Sequence, residues 1–191
     1  MIHHLSGKLI EKNPTEIIVE CAGVGYFVKI SLNTYSKISD DADVKVYTQF
    51  IVREDAQLLY GFADQTERDL FNLLISVSGI GPNTAILMLS SMSPNDVALA
   101  IGSEDVKTIQ SIKGIGLKTA QRVIVDLKDK MLKFGQGDQT SAISNNSIRF
   151  DALTALVSLG FDKRAADKAL DKVEGEAESV EQMIKKALKV L

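Results

Sequence analysis

A short glycine-containing segment occurs twice in the chain. The sequence GIGPNTA begins at Gly79 and GIGLKTA begins at Gly114, so the two copies lie 35 residues apart. Each copy follows one helical pattern and precedes another. Two glycines around a single apolar residue permit a tight turn, because glycine adopts backbone conformations that other residues avoid. The repeat predicts two helix–turn–helix units in the middle of the chain, with Ile80 and Ile115 turned inward.

The helix that starts after each turn is a predicted phosphate site. The first amides of a helix have no internal acceptor, and the helix dipole favours an anion there. A dinucleotide-binding loop would need glycine at the sixth position, and no Walker A motif is present. A helix-capping glycine without a ligand remains the alternative. The candidate DNA-contacting residues are Gly79, Gly81, Asn83, Thr84, Gly114, Gly116, Lys118, Thr119 and Arg122.

Residues 1–63 have the pattern of a small β domain. TEIIVECAGVGYFVKISL, which begins at Thr15, has β-branched and aromatic runs interrupted by glycines, as in a hairpin. About five short strands with glycine turns predict a Greek-key barrel of the OB-fold type, and a generic β-sandwich is the alternative. Strict alternation in DVKVYTQFIV places one set of side chains on a common face: Val44, Val46, Thr48, Phe50 and Val52.

The rest of the chain has helical periodicity, which makes the fold class α+β and multi-domain. Residues 64–134 form the predicted helix-hairpin-helix domain, with Asp64 and Glu67 as a capping box. Residues 135–146, rich in Gly, Gln, Ser and Asn, predict a flexible linker. Residues 147–191 predict a small three-helix bundle. Its predicted core residues are Leu153, Leu156, Leu170, Met183 and Leu188.

Composition limits the classes of function. The chain has 191 residues, one cysteine, two histidines and a net charge of −3. These numbers exclude an internal disulfide and leave few zinc ligands, so no metal or cofactor is expected. No apolar run approaches the ~20 residues of a membrane span, and no signal-peptide pattern opens the chain, so a cytoplasmic location is expected. DNA binding would depend on local geometry, not on bulk charge.

The combined pattern resembles a known family. A β-barrel, two helix-hairpin-helix motifs, a polar linker and a three-helix tail match the bacterial RuvA family over the whole chain. The segment VREDAQLLYGF, from Val52 to Phe62, is similar to the family's acidic-pin hairpin and following strand. The chain departs from the family's pattern at Asn83 and Leu117, where a basic residue is more common.

The resemblance implies a DNA-binding subunit that is not itself an enzyme. Members form a homotetramer, sometimes two facing tetramers, that holds a four-way (Holliday) junction open and square during recombination and DNA repair. It further implies two protein partners, the hexameric ATPase RuvB, which drives branch migration, and the resolvase RuvC. Glu54 and Asp55 would form the acidic pin that repels phosphates at the crossover. Ala155, Leu159 and Phe161 are candidate contacts to the motor.

Three alternatives stay open from the residues alone. Glu54 and Asp55 could form an ordinary solvated turn. The hairpins could belong to an accessory subunit of a DNA-processing nuclease, for which metal-binding carboxylates would be needed; the densest acidic segment of the barrel region is SDDAD, from Ser39 to Asp43. The C-terminal bundle alone could serve as a protein–protein adaptor.

Overall fold

The chain forms two compact units, residues 1–137 and 138–191. The computed structural model describes residues 2–40, 43–131, 134, 145–173 and 179–191. The linker predicted over residues 135–146 lies outside the described residues except at its end. Asn145 and Asn146 belong to a helix, so the first helix of the second unit begins two residues before the predicted start of the bundle at residue 147.

Five strands close into a barrel, as the glycine turns and alternation predict. The strand order is β1-β2-β3-β5-β4, and every neighbouring pair is antiparallel except β3 with β5. A short helix that was not predicted, α1, lies between β3 and β4. The bounds are β1 His4–Asn13, β2 Glu16–Cys21, β3 Val24–Ile30, α1 Leu32–Lys37, β4 Asp43–Val52 and β5 Gln57–Phe62.

Alternation along β4 holds for most of the strand. Val46 and Thr48 are buried, and Val44 and Phe50 pack against the barrel core. Val52, which is predicted on the same face, is 62% exposed. Val52 is the last residue of β4, where the strand leaves the barrel for the β4–β5 turn.

Five helices follow the barrel and share a core with it. Their bounds are α2 Gln65–Ile75, α3 Pro82–Ser91, α4 Pro94–Gly102, α5 Val106–Gln110 and α6 Leu117–Met131. Tyr60 and Phe62 from β5 pack against Phe71 of α2, with ring centroids 5.2 and 5.0 Å apart. Because these rings belong to the same core as the helices, barrel and helices are one packed unit.

A buried carboxylate joins the barrel to α2. Asp64 accepts a hydrogen bond from the amide of Glu67 at 2.8 Å, as the capping box predicts. The Glu67 carboxylate, however, accepts hydrogen bonds from Ser31 and from Thr34, the latter at 2.7 Å. Glu67 is fully buried, and burial raises its pKa while the hydroxyl donors lower it less. Its side chain therefore connects α1 to α2.

The described residues of the second unit form three helices with their own core. They are α7 Asn145–Ser158, α8 Lys163–Val173 and α9 Val180–Ala187. Among the predicted core residues, Leu156, Leu170 and Met183 are buried and Leu153 is partly buried. The prediction for Leu188 is wrong: it follows the end of α9, and its side chain is 42% exposed.

No single helix within the described ranges is long and apolar enough to cross a bilayer. Only α3 and α4 together would reach the required apolar length, and they are bent by 100° to each other.

Candidate nucleic-acid interface

The two glycine turns have closely matching backbones. Gly79 and Gly114 have positive φ angles of 99° and 91°, which L side chains rarely adopt. In each turn the next residue is a buried isoleucine whose amide donates back to the carbonyl three residues earlier, at 3.0 Å for Ile80 and 3.1 Å for Ile115. The isoleucines anchor the turns in the helical core, so the inward positions predicted for both are confirmed.

The second glycine of each turn has a different property. Neither Gly81 nor Gly116 has a positive φ, and a Cβ atom placed on either would meet no atom of the described residues within 4 Å, its chain neighbours aside. The fold itself therefore gives no steric reason for glycine at either position. A glycine that faces open space allows another backbone or a ligand to approach closely.

Each second glycine immediately precedes a helix. The carbonyls of Gly81 and Gly116 accept from Ala85 and Ala120, both at 2.9 Å, and so begin the hydrogen-bond ladders of α3 and α6. No side chain caps the first turn of α3. Amides in the first turn of a helix lack an internal acceptor. Each turn can thus offer amide donors and a helix dipole to an anion.

The two turns are neighbours in space. A Cβ atom on Gly79 would lie 3.5 Å from the methyl group of Thr119, in the first turn of α6. Thr84, in the matching position of α3, is half-buried like Thr119. The two candidate anion sites therefore belong to one surface.

The predicted polar DNA-contacting residues differ in the contacts that they already make within the protein. Asn83 accepts a hydrogen bond at its Oδ1 from the Tyr60 hydroxyl at 3.1 Å, which leaves its amide group facing outward as the donor. Arg122 lies 3.7 Å from Asp126 on the same helix. Lys118 is exposed and forms no ion pair with a residue that the structure describes.

Tyr60 is a residue that the sequence analysis did not single out. Its ring belongs to the shared core, and its hydroxyl orients Asn83. Burial raises the pKa of Tyr60, with a smaller lowering by Arg53, so the phenol keeps its proton and remains a donor. The contact joins residues 23 positions apart, so no local pattern could have indicated it.

The acidic pair lies at the tip of a tight hairpin. Glu54 and Asp55 are exposed between the end of β4 and the start of β5. The amide of Arg53 donates to the carbonyl of Ala56 at 2.8 Å and closes the turn. Both carboxylates therefore project from the barrel on a short, hydrogen-bonded support.

The candidate motor contacts lie at the end of α7. Leu159 and Phe161 are exposed, and Ala155 is half-buried. Gly160, with a φ of 97°, ends the helix between the two exposed residues. The turn thus presents two large apolar side chains to solvent.

The acidic segment SDDAD is the place where the nuclease alternative would need a metal site. Asp40, at one end of SDDAD, accepts from Lys12 at 2.8 Å, while Asp41 and Ala42 lie outside the described residues. Within the described part of the chain, no group of three or more His, Cys, Asp or Glu residues could hold a metal ion.

Three family models match successive parts of the chain. The RuvA N terminal domain matches residues 1–61, the SAM-like helix-hairpin-helix tandem matches residues 71–129, and the RuvA C-terminal domain matches residues 147–191. The second match covers both glycine turns.

Relatives match over the full length. The chain is 54% identical over 193 residues to the Holliday junction branch migration complex subunit RuvA of Christiangramia forsetii, with all of both chains covered. The protein of the same name from Flavobacterium psychrophilum is 52% identical, again with all of both chains covered. That from Colwellia psychrerythraea is 39% identical, with 99% of both chains covered. From its full-length relatives and its domain matches, the chain belongs to the RuvA family.

Proposed function

We propose that this protein binds four-way junction DNA by shape and acts as a subunit of a branch migration complex in recombination and DNA repair. Relatives with full-length matches carry that name. The observation that carries the proposal is the pair of open glycine turns, at which Gly81 and Gly116 face free space before the amides of a new helix. The contacting residues would be those predicted from the sequence, with Lys118 as the most available cation.

Backbone contacts suit the proposed task. Amides and a lysine hold phosphates but carry no information about the base. During branch migration every base pair passes through the junction. A subunit with base-specific contacts would bind some DNA sequences more tightly and so slow the movement of the junction along the DNA. Recognition of phosphates alone allows the same surface to hold each successive sequence.

A homotetramer supports the same task. A four-way junction has four arms of similar geometry, and cyclic symmetry supplies four equivalent binding surfaces. Sedimentation of the protein alone and with junction DNA would give the number of subunits, and would distinguish one tetramer from two. A monomer on the junction would contradict this part of the proposal.

The C-terminal unit is the proposed contact with the motor. It has its own core, and the α7–α8 turn exposes Leu159 and Phe161. In this proposal the partner is the hexameric ATPase RuvB, and the resolvase RuvC acts on the same junction. The protein itself would bind and position DNA without catalysing a reaction.

Incubation with labelled four-way and linear DNA, without nucleotide, tests the proposal. We expect the four-way junction to be retained intact and in preference to linear duplex. Cleavage of either DNA would favour the nuclease alternative. Retention of neither would overturn DNA binding and leave the adaptor role of the C-terminal unit.

A further inference from the structure

Five residues from three elements gather on the outer surface of the barrel beside α2. We call them the Tyr47 cluster; they are His3, His4, Lys45, Tyr47 and Arg68. Lys45 Nζ lies 5.4 Å from the centre of the Tyr47 ring, and Arg68 Cζ lies 5.7 Å from it. Both distances fall within the range of a cation–π contact. The Tyr47 ring therefore contacts two positively charged side chains.

The two histidines complete the cluster from the N-terminal segment. The rings of His3 and Tyr47 meet edge to face at 6.1 Å, and His4 is the cross-strand partner of Tyr47. The segment is held in place because the amide of Thr48 donates to the carbonyl of His3 at 2.8 Å. The Nδ1 atoms of His3 and His4 lie 3.2 Å apart, within hydrogen-bond distance.

Positive charge in this cluster is only partly balanced. Asp69 lies 3.4 Å from one terminal nitrogen of Arg68, and Arg68 is only 12% exposed. Its Nε atom is buried without a hydrogen-bond partner among the described residues. Lys45 forms no ion pair with a residue in the described ranges. An anion that contacts Lys45 or Arg68 would offset the positive charge of the cluster.

We propose that the Tyr47 cluster is a second phosphate-binding site for the DNA backbone, on the barrel and separate from the glycine turns. Tyr47 acts as the support that orders Lys45 and Arg68, and the imidazoles supply further donors. The planar guanidinium and the ammonium group are the usual donors to phosphate oxygens. The inference rests on the proposed DNA binding, but it adds a contact surface that the hairpins do not include.

The strand pair itself offers a matched control. Lys8 on β1 is exposed on the same outer face and lies opposite Asp43 of β4 in the register, whereas Lys45 lies opposite Ser6. Lys8→Gln and Lys45→Gln change the net charge equally. Of these two lysines, Lys45 is the one that contacts the Tyr47 ring.

The test is fluorescence anisotropy of a labelled four-way junction at several salt concentrations, with sedimentation of each variant. We expect Lys45→Gln to weaken binding roughly three- to tenfold and to reduce the slope of log affinity against log salt by about one, as for the loss of one phosphate contact. Tyr47→Leu should weaken binding similarly, because Lys45 loses its support. Lys8→Gln should stay within about twofold of the wild type and keep its slope.

Three outcomes would overturn the inference while leaving DNA binding by the hairpins intact. The first is an equal loss of affinity in Lys8→Gln and Lys45→Gln, which would mean that only net charge matters. The second is a changed sedimentation mass of Lys45→Gln, which would make the cluster a contact between subunits. The third is wild-type affinity of both Lys45→Gln and Tyr47→Leu under conditions in which Gly116→Ala weakens binding. A wild-type protein that binds no DNA would overturn the proposed function as well.

Discussion

The four glycines of the two turns fall into two pairs with different backbone angles. Gly79 and Gly114 adopt backbone angles that other residues avoid, so they shape the turns. Gly81 and Gly116 adopt ordinary angles and face open space. The fold explains the first pair, and for the second pair we propose the close approach of a DNA phosphate.

This division gives a prediction at Gly81 and Gly116. Alanine at either position should change the free energy of unfolding by less than about 1 kcal/mol, because the added methyl group meets no atom of the chain. Junction affinity should fall roughly tenfold, the effect of losing about 1.4 kcal/mol of charge-assisted hydrogen bonding. The loss should be equal for junctions of unrelated sequence, because phosphates are the same in all of them.

Gly102→Ala is the matched control for these variants. Gly102 also faces open space, but it ends α4 away from both turns. Anisotropy titrations should show wild-type affinity for this variant. Wild-type affinity for both Gly81→Ala and Gly116→Ala would instead leave the turns as helix caps without a ligand.

Single residues could be predicted from the sequence where local pattern decides them. The inward positions of Ile80 and Ile115 follow from the turn alone. Asn83 shows the limit, because its oxygen accepts from Tyr60 on a strand of the barrel. That contact depends on how the barrel packs on α3, which no short segment contains.

Among the elements, the β4–β5 hairpin is the one whose charges should most affect DNA binding. Glu54 and Asp55 stand exposed on a turn closed by one backbone hydrogen bond. A phosphate brought near either carboxylate is repelled by on the order of 1 kcal/mol near a surface. We therefore expect the hairpin to disfavour DNA that lies continuously across it.

Glu54→Gln combined with Asp55→Asn should raise affinity for linear duplex relative to the four-way junction. The gain should shrink as salt rises, because screening acts over ~10 Å at 0.1 M. Gel-shift titrations of both DNAs at low and moderate salt measure the ratio. The pair Glu11→Gln and Asp151→Asn, exposed and outside this turn, makes the same change in net charge and should leave the ratio unchanged. Unchanged or weaker duplex binding by the turn variant would make the acids an ordinary solvated turn.

The contact between α1 and α2 gives a pH-dependent prediction. Burial raises the pKa of Glu67 above its ordinary value of 4.5. Between 4.5 and the raised value, the folded protein holds a proton that the unfolded chain has released. The contribution of Glu67 to stability is therefore fully present below pH 4.5 and declines as pH rises through that window.

Glu67→Gln removes this titration. The free energy of unfolding of the wild type, relative to the variant, should fall as pH rises from 4.5 through the raised pKa of Glu67, and then become constant. Urea unfolding of both proteins across this range measures the difference. A difference that does not change with pH would contradict a raised pKa for this carboxyl.

Elements could be predicted more completely than the contacts between them. The five strands, the helix starts at Ser93, Asp162 and Ser179, and the β4–β5 hairpin all follow from local signals. Glu67 has the spacing of a capping box, yet its carboxylate accepts from hydroxyls 33 and 36 residues away. Local spacing could not distinguish a capping role from this long-range contact.

The whole molecule consists of two units with separate cores. The barrel and helices α2 to α6 share contacts through Tyr60, Phe62 and Phe71, whereas the C-terminal core is built from α7, α8 and α9 alone. A unit with its own core can fold by itself. We therefore assign DNA binding to the first unit and motor binding to the second.

Truncation after Gly137, at the border between the units, tests this assignment. The shortened protein should still assemble and bind four-way junctions, because both glycine turns and the β4–β5 hairpin remain. Stimulation of the ATPase partner and branch migration should be lost. Sedimentation, junction titration and an ATPase assay measure the three properties. Loss of junction binding would place the C-terminal helices in the DNA-binding part and make the division wrong.

For the whole molecule, the sequence predicts the separate segments but not how they pack. The polar composition of residues 135–146 marks a boundary between the bundle and the preceding residues, and the order of strands and helices follows from hydrophobic periodicity. β5 is apolar on both faces, in the run LLYGF, which indicates that both faces are buried. The run does not indicate that α2 is the element that covers the outer face, so the shared core of barrel and helices could not be predicted in detail.

Competition binding tests the central claim most directly. Two four-way junctions of unrelated sequence, and linear duplexes made from the same arms, should be titrated against the full-length protein under one salt condition. We predict equal affinity for both junctions and clearly weaker binding of both duplexes, because in the proposed function the glycine turns bind phosphates in a fixed arrangement. Different affinities for the two junctions, or equal binding of junction and duplex, would contradict recognition by shape.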